Sequence, residues 1–209
     1  MRGVIDQLAT DILFAFYQPL GYSLLTAYFF MYFYIFSYKK YETGHGIKAT
    51  LLIWKDNFKE DKAFRRLYIL VFYVMLMLFR TLMNRNQWVN PLYEIFDGWW
   101  IYHTNTITGE IVLTADCIEN ILLFIPYIFL ILYYLRTIDY KKSFSDILKL
   151  SIRVAFITSF TIEFLQMVLR LGSVQLSDLV YNTLGGVIGC GLYGVILSAY
   201  LKIKKSRGR

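Results

Sequence analysis

Apolar residues in this chain gather into runs of bilayer length, and most of the charge falls between them. Such runs lie at residues 12–36, 67–83, 116–135, 150–171 and 178–201. The pattern predicts an all-α, polytopic membrane helix bundle of about five transmembrane helices, forming one membrane domain over residues 1–209. Pro19 sits near the start of the first run, where a proline is tolerated in the opening turns of a helix or kinks it. The six residues GSVQLS between the fourth and fifth runs are few enough to make those spans antiparallel neighbours.

The segments between the runs carry weaker signals. In IKATLLIWKDNFKEDKAFRRL, the apolar Ile47, Leu51, Leu52 and Phe58 stand among lysines. That spacing suits an interfacial amphipathic helix, or else a solvated loop with a few membrane-facing residues. The 84–116 loop is too long for a tight turn. Its Trp88, Trp99 and Trp100 suit a headgroup-level belt or a re-entrant segment. Within it, TNTITGEIVL alternates β-branched residues around Thr108-Gly109, as a small hairpin would.

Composition agrees with the pattern. The apolar share is 57% and the charged share only 18%, the reverse of what a solvated surface requires. A net charge of +7 raises the question of nucleic acid, but the basic residues flank apolar runs and form no separate face. They report topology instead. Of the 22 Lys and Arg, eight lie between residues 37 and 66, four are Arg136, Lys141, Lys142 and Lys149, and five follow Leu201. If the spans alternate, all 17 share one side. The positive-inside rule then puts the N-terminus outside and the C-terminus in the cytoplasm. Two cysteines without CxxC spacing and two histidines in different loops suggest no disulfide, metal or redox site, and no cofactor motif is present. The first apolar run, long and aromatic, lacks the features of a cleavable leader.

Charge placement brings the chain's anomalies together. Arg80 closes the second span, and Glu119 and Asn120 open the third. Glu163, Gln166 and Arg170 descend the outer half of the fourth span, and Asp178 and Asn182 begin the fifth. The alternating topology puts all of them in the outer half of the bilayer. At 100° per residue, Gln166 lies about 60° and Arg170 about 20° from Glu163, so the three share a stripe. The Asp178–Asn182 stripe continues into Gly185, Gly186 and Gly189, whose small-xxx-small spacing suits close helix packing. Plainer roles compete. Asp178 after Ser177 is a helix opening, Asn120 a cap, and Arg80 and Arg170 can snorkel to headgroups. Glu163 is hardest to explain away, because an intramembrane carboxylate is either neutral or paired.

The segments N-I-L-L-F-I-P, I-E-F-L-Q-M-V-L-R and S-D-L-V-Y-N-T-L-G-G-V-I-G resemble those of the VanZ-like family of bacterial membrane proteins. The resemblance rests on Asn120, Phe124 and Pro126; on Glu163, Gln166 and Arg170; and on Asp178, Asn182, Gly185, Gly186 and Gly189. Arg80 with Asn90-Pro91-Leu92 is similar more loosely, and the whole covers about residues 75–195. Ile128 stands where the family pattern has glycine, and the loop before the third span is longer and more aromatic. The resemblance implies a multi-pass protein of the bacterial plasma membrane. It also implies an association with reduced susceptibility to glycopeptide antibiotics, above all the lipid-tailed teicoplanin.

Three readings follow. In the first, a non-enzymatic protein has a polar outer-leaflet site for an anionic lipid, a lipid-linked cell-wall intermediate or a lipoglycopeptide. There Arg80 and Arg170 meet the anion, Gln166, Asn120 and Asn182 direct hydrogen bonds, and Glu163 holds the arginines or binds an amine. In the second, an intramembrane enzyme acts on a lipid-linked envelope intermediate with Glu163 as general acid/base, although no nucleophile motif or metal set accompanies it. In the third, a proton-coupled transporter works through Glu163, against the lack of an inverted repeat.

Overall fold

A computed structural model describes residues 2–38, 47–83, 92, 95–104, 109, 111–136 and 143–207. Its helices are α1 (Arg2–Tyr17), α2 (Leu20–Phe33), α3 (Ile47–Glu60), α4 (Lys62–Leu82), α5 (Asp116–Leu135), α6 (Phe144–Leu169) and α7 (Leu176–Arg207). A π-helical turn at Tyr34–Tyr38 prolongs α2. Four candidate spans are long and apolar enough to cross a membrane: Ile5–Ser37, Asp116–Leu135, Phe144–Leu169 and Leu176–Arg207. The expected second span is α4, in which only 67–79 is uninterrupted apolar sequence, between Arg66 and Arg80. Its 21 residues still reach about 31 Å, and terminal arginines can snorkel in opposite directions.

Pro19 does more than kink the first span. It separates α1 from α2, and its carbonyl accepts both the backbone N–H of Ser23 at 2.9 Å and the Ser23 hydroxyl at 2.6 Å. The Lys-rich segment holds the helix its spacing suggested. Trp54 of α3 stacks on Phe58 and meets Phe64 and Tyr68 of α4 edge-on. Asp61 then caps α4, accepting the N–H groups of Ala63 and Phe64 at 2.8 and 3.1 Å. The small hairpin also forms: Tyr102–Thr104 pairs antiparallel with Ile111–Leu113, with His103 opposite Val112.

Around a core that holds Met77, Leu123, Phe124, Ile128 and Leu132, helix α6 is inverted relative to a helix of a soluble protein. On α6, Ser151, Ala155, Ser159, Ile162, Glu163 and Gln166 are buried, whereas Phe156, Ile157, Phe160, Phe164 and Val168 are exposed. Small and polar residues face inward and large apolar ones face out, as lipid solvation requires.

Helix α7 packs most extensively on α5, then on α6. A Cβ on Gly185 would lie 2.4 Å from the carbonyl oxygen of Ile121, and one on Gly189 2.4 Å from that of Ile125. Gly186 faces α6 instead, where a Cβ would lie 2.6 Å from the Cβ of Ala155. The glycine stripe expected to serve close packing therefore does so, chiefly against α5 rather than the sequence neighbour α6. The two helices run parallel, and the pairs Ile121–Gly185 and Ile125–Gly189 keep one register. Phe129 and Tyr193 continue it as an edge-on pair at 5.9 Å, and Arg136 lies over Tyr200 at 5.4 Å.

Gly185→Ala and Gly189→Ala should each destabilise the protein by about 1–3 kcal/mol, because backbone cannot yield as a side-chain tip can. Gly191→Ala, with nothing within 4 Å of its added methyl, should be neutral or slightly stabilising. Thermal unfolding in detergent micelles compares the three.

Candidate functional site

The C-terminal ends of α4 and α6 and the N-terminal ends of α5 and α7 meet at one pole of the bundle, and the polar residues collect there. Arg80 ends α4, with Nη2 hydrogen-bonded to Glu119 Oε2 of the first turn of α5 in a salt bridge. The Arg80 side chain is 29% exposed and that of Glu119 12%, so the pair is neither a surface contact nor fully desolvated. Next to Glu119, Asn120 donates from Nδ2 to Asp178 Oδ1 of α7 at 2.7 Å. Asp178 therefore holds α5 as well as opening its own helix.

Helix α6 reaches the same pole. Gln166 donates from Nε2 to the carbonyl of Thr81 at 2.8 Å, tying the last turns of α6 and α4 together. Asn182 donates to the hydroxyl of Ser159 at 2.9 Å, and its Oδ1 is buried without a protein hydrogen-bond partner among the described residues. Glu163 is 4% exposed, and its Oε2 accepts the backbone N–H of Gln175 at 3.0 Å. The carboxylate that lacked a structural explanation in the sequence thus anchors the α6–α7 connection, which folds back over it.

Arg170 departs from the predicted stripe. Helix α6 stops at Leu169, and Arg170 adopts a left-handed conformation with φ 53° and ψ 44°. The N–H of Leu171 reaches the carbonyl of Gln166 at 2.9 Å and that of Arg170 the carbonyl of Met167 at 3.2 Å, the double closure of a Schellman turn. Helical periodicity no longer applies at Arg170, which is exposed at the pole. The position usually favours glycine, and an arginine there costs about 1 kcal/mol.

The loop before the hairpin covers the start of α7. Ser177 Oγ donates to the carbonyl of Asp97 at 2.8 Å, Tyr181 to that of Trp99 at 2.5 Å, and the Leu176 N–H to that of Ile95 at 3.0 Å. Gly98 sits in the contact at φ 80°, where a Cβ would fall 2.6 Å from Gln175 Oε1 and 2.7 Å from Ser177 Oγ. Trp99 packs on Tyr181, and Trp100 is exposed. Of the loosely matching Asn90-Pro91-Leu92, Asn90 and Pro91 lie outside the described residues, as does Trp88.

One feature of this pole could receive a ligand. A cavity of about 370 Å³ opens between the Pro19 break and the end of α4, lined by Gln18, Pro19, Tyr22, Phe79, Arg80 and Met83. Arg80 thus lines this space while its Nη2 is hydrogen-bonded to Glu119. Glu119 is the functional candidate that sequence reasoning left out. The sequence placed it with Asn120 among the polar residues at the outer start of the third span, without a role in the site. Among the described residues no group of three His, Cys, Asp or Glu is placed to hold a metal.

A helical bundle with an apolar exterior, helices of bilayer length and a polar pole is an integral membrane protein. The family model described as VanZ/LLP1 matches residues 19–197, so the chain belongs to the VanZ/LLP1 family. That match reaches well before residue 75, where the recognisable motifs begin. The chain is similar to Protein VanZ of Enterococcus faecium, at 30% identity over 90 residues, which cover 43% of this chain and 49% of that protein. It thus matches about half the length of this curated relative. No solved structure gives a significant match.

Removing either partner of the Arg80–Glu119 pair leaves a half-buried charge uncompensated. Arg80→Met and Glu119→Met should each lower stability by about 1–3 kcal/mol, with the double variant costing less than the two combined. A double-mutant cycle of unfolding midpoints measures the coupling.

Proposed function

We propose that this chain is a non-enzymatic protein of the bacterial plasma membrane that binds an anionic amphiphile at the Arg80 pole. The ligand class is an anionic lipid, a lipid-linked cell-wall intermediate or a lipoglycopeptide, and binding lowers susceptibility to glycopeptide antibiotics such as teicoplanin. One observation carries the reading: Arg80 is paired with Glu119 through Nη2 and also lines a cavity. A guanidinium held in this way is prepared for bidentate contact with phosphate or carboxylate. Arg170 supplies a second cation at the same end, exposed by its left-handed turn. Asn120, Gln166, Asp178 and Asn182 act in this reading by tying α4, α5, α6 and α7 together at the pole that carries Arg80. Glu163 holds the connection that carries Arg170. Positive-inside charge counting places the pole in the outer leaflet, facing envelope intermediates and antibiotics.

The test uses the full chain expressed in a susceptible Gram-positive host, with membrane levels matched by immunoblot. Arg80→Gln should abolish protection against teicoplanin. Arg170→Asn, which suits the left-handed conformation, should weaken it without loss of stability. Native mass spectrometry should show a teicoplanin or anionic-lipid adduct on the wild type that Arg80→Gln lacks. Undiminished protection and adduct in Arg80→Gln would overturn the proposal. Loss of protection in Glu163→Gln, with the adduct retained and turnover of a labelled lipid-linked substrate by the wild type alone, would favour the enzyme instead.

A further inference from the structure

The opposite pole holds a second cavity of about 500 Å³, between the start of α4, the end of α5 and the later turns of α7. Lys62, Arg65, Arg66 and Arg136 line it, and among the described residues none of its lining is acidic. Like charges that converge on one space repel unless an anion joins them, and the repulsion is strongest where lipid excludes water. The arginines are also held in place. Arg66 lies over the Tyr133 ring at 4.0 Å and donates to the carbonyl of Tyr133 at 3.2 Å. Arg136 lies over Tyr200 at 5.4 Å. Arg65 donates to the carbonyl of Phe58 at 3.0 Å, so α3 positions it too.

Basic residues at the end of a membrane protein ordinarily contact headgroups one by one. These instead share a cavity whose remaining wall is apolar and aromatic, including Phe129, Ile196 and Leu197. Cations on one side and hydrocarbon on the other describe an amphiphile with an anionic head. We propose that this cavity binds the phosphodiester headgroup of an anionic membrane lipid, with an acyl chain against the Phe129–Leu197 wall. The site is separate from the Arg80 cavity, since Arg66 and Arg80 lie about 21 Å apart along α4. By charge counting it faces the inner leaflet, where its lipid would brace α4 against the α5–α7 pair.

The experiment uses the full chain in proteoliposomes with phosphatidylglycerol carrying a photoactivatable acyl chain, and maps the labelled peptides. Label should appear in the peptides of α5 and α7 that contain residues 129–136 and 193–200, and photoactivatable phosphatidylcholine should label them about fivefold less. Arg136→Gln and Lys62→Gln should each cut that label about fivefold. Arg153→Gln, which removes the same charge from an exposed position outside the cavity, should leave it unchanged. Should Arg136→Gln fail to fold, Lys62→Gln decides alone, because Lys62 is the exposed first residue of its helix. Equal labelling by phosphatidylcholine, or an equal drop in Arg153→Gln, would overturn the proposal. Competition by glycerol 3-phosphate as effective as that by unlabelled phosphatidylglycerol would also overturn it, since the cavity would then be a phosphate site rather than a lipid site. Label in peptides of α1 or α4 near Arg80 reports the other cavity and is scored separately.

Discussion

Backbone-to-backbone contact between α7 and α5 is the constraint on which the rest of the bundle depends. Without Cβ atoms at Gly185 and Gly189, α7 closes onto the Ile121 and Ile125 carbonyls. Inside a membrane this close packing must supply what hydrophobic burial supplies in water, because lipid is as apolar as the side chains it touches. The same seam brings Asp178 to Asn120 at one end and Tyr200 to Arg136 at the other. Both cavities therefore take part of their geometry from it. Near the glycines the helices touch through backbone. Where Tyr193 and Tyr200 replace glycine, rings hold the helices together, and the larger cavity opens beside them.

The polar pole shows how a membrane protein places charge where no water can solvate it. Each group is tied to a different helix or loop: Arg80 to Glu119, Asn120 to Asp178, Gln166 to Thr81 and Glu163 to Gln175. These contacts connect α4 to α5, α5 to α7, α6 to α4, and α6 to the loop leading into α7. The polar residues thereby specify which helix ends meet, while apolar packing holds the shafts. Arg80 is held by Glu119 and also lines a cavity. That double use distinguishes it from Gln166 and Asn182, whose donors reach protein atoms.

Much of this was legible from the sequence wherever the physics is local. Bilayer thickness sets the length of an apolar run, so run length alone places the long helices. The α3 helix and the hairpin followed from side-chain periodicity. Arg170 escaped because a helical wheel assumes that the helix continues, and the Schellman turn at Leu169 ends it one residue earlier. The partner of the glycine stripe escaped for a different reason. A six-residue connection makes α6 the obvious neighbour of α7, whereas the register of α7 on α5 is set by packing between helices distant in sequence. The contacts of Glu163 with Gln175 and of Glu119 with Arg80 escaped on the same account. Depth in the bilayer made Glu163 look exceptional, but depth measured along a helix ignores a loop that folds back to meet it.

The two poles differ in how their cations are balanced, and the difference bears on what each can bind. At the Arg80 pole the guanidinium already has a carboxylate partner, so a ligand gains chiefly directed hydrogen bonds and adds little net attraction. Such a site discriminates by geometry, as recognition of a particular headgroup or peptide carboxylate requires. At the basic pole four cations line a cavity with no acid among its described lining residues, and two of them rest on tyrosine rings that leave the charge intact. Attraction there is mainly electrostatic and tolerant of headgroup identity, suited to an abundant lipid that stays bound. A selective site at one pole and a structural lipid at the other would use the α5–α7 seam differently. The seam steadies the α5 end whose Glu119 pairs with Arg80, and the lipid would in turn support the seam where rings have replaced glycine.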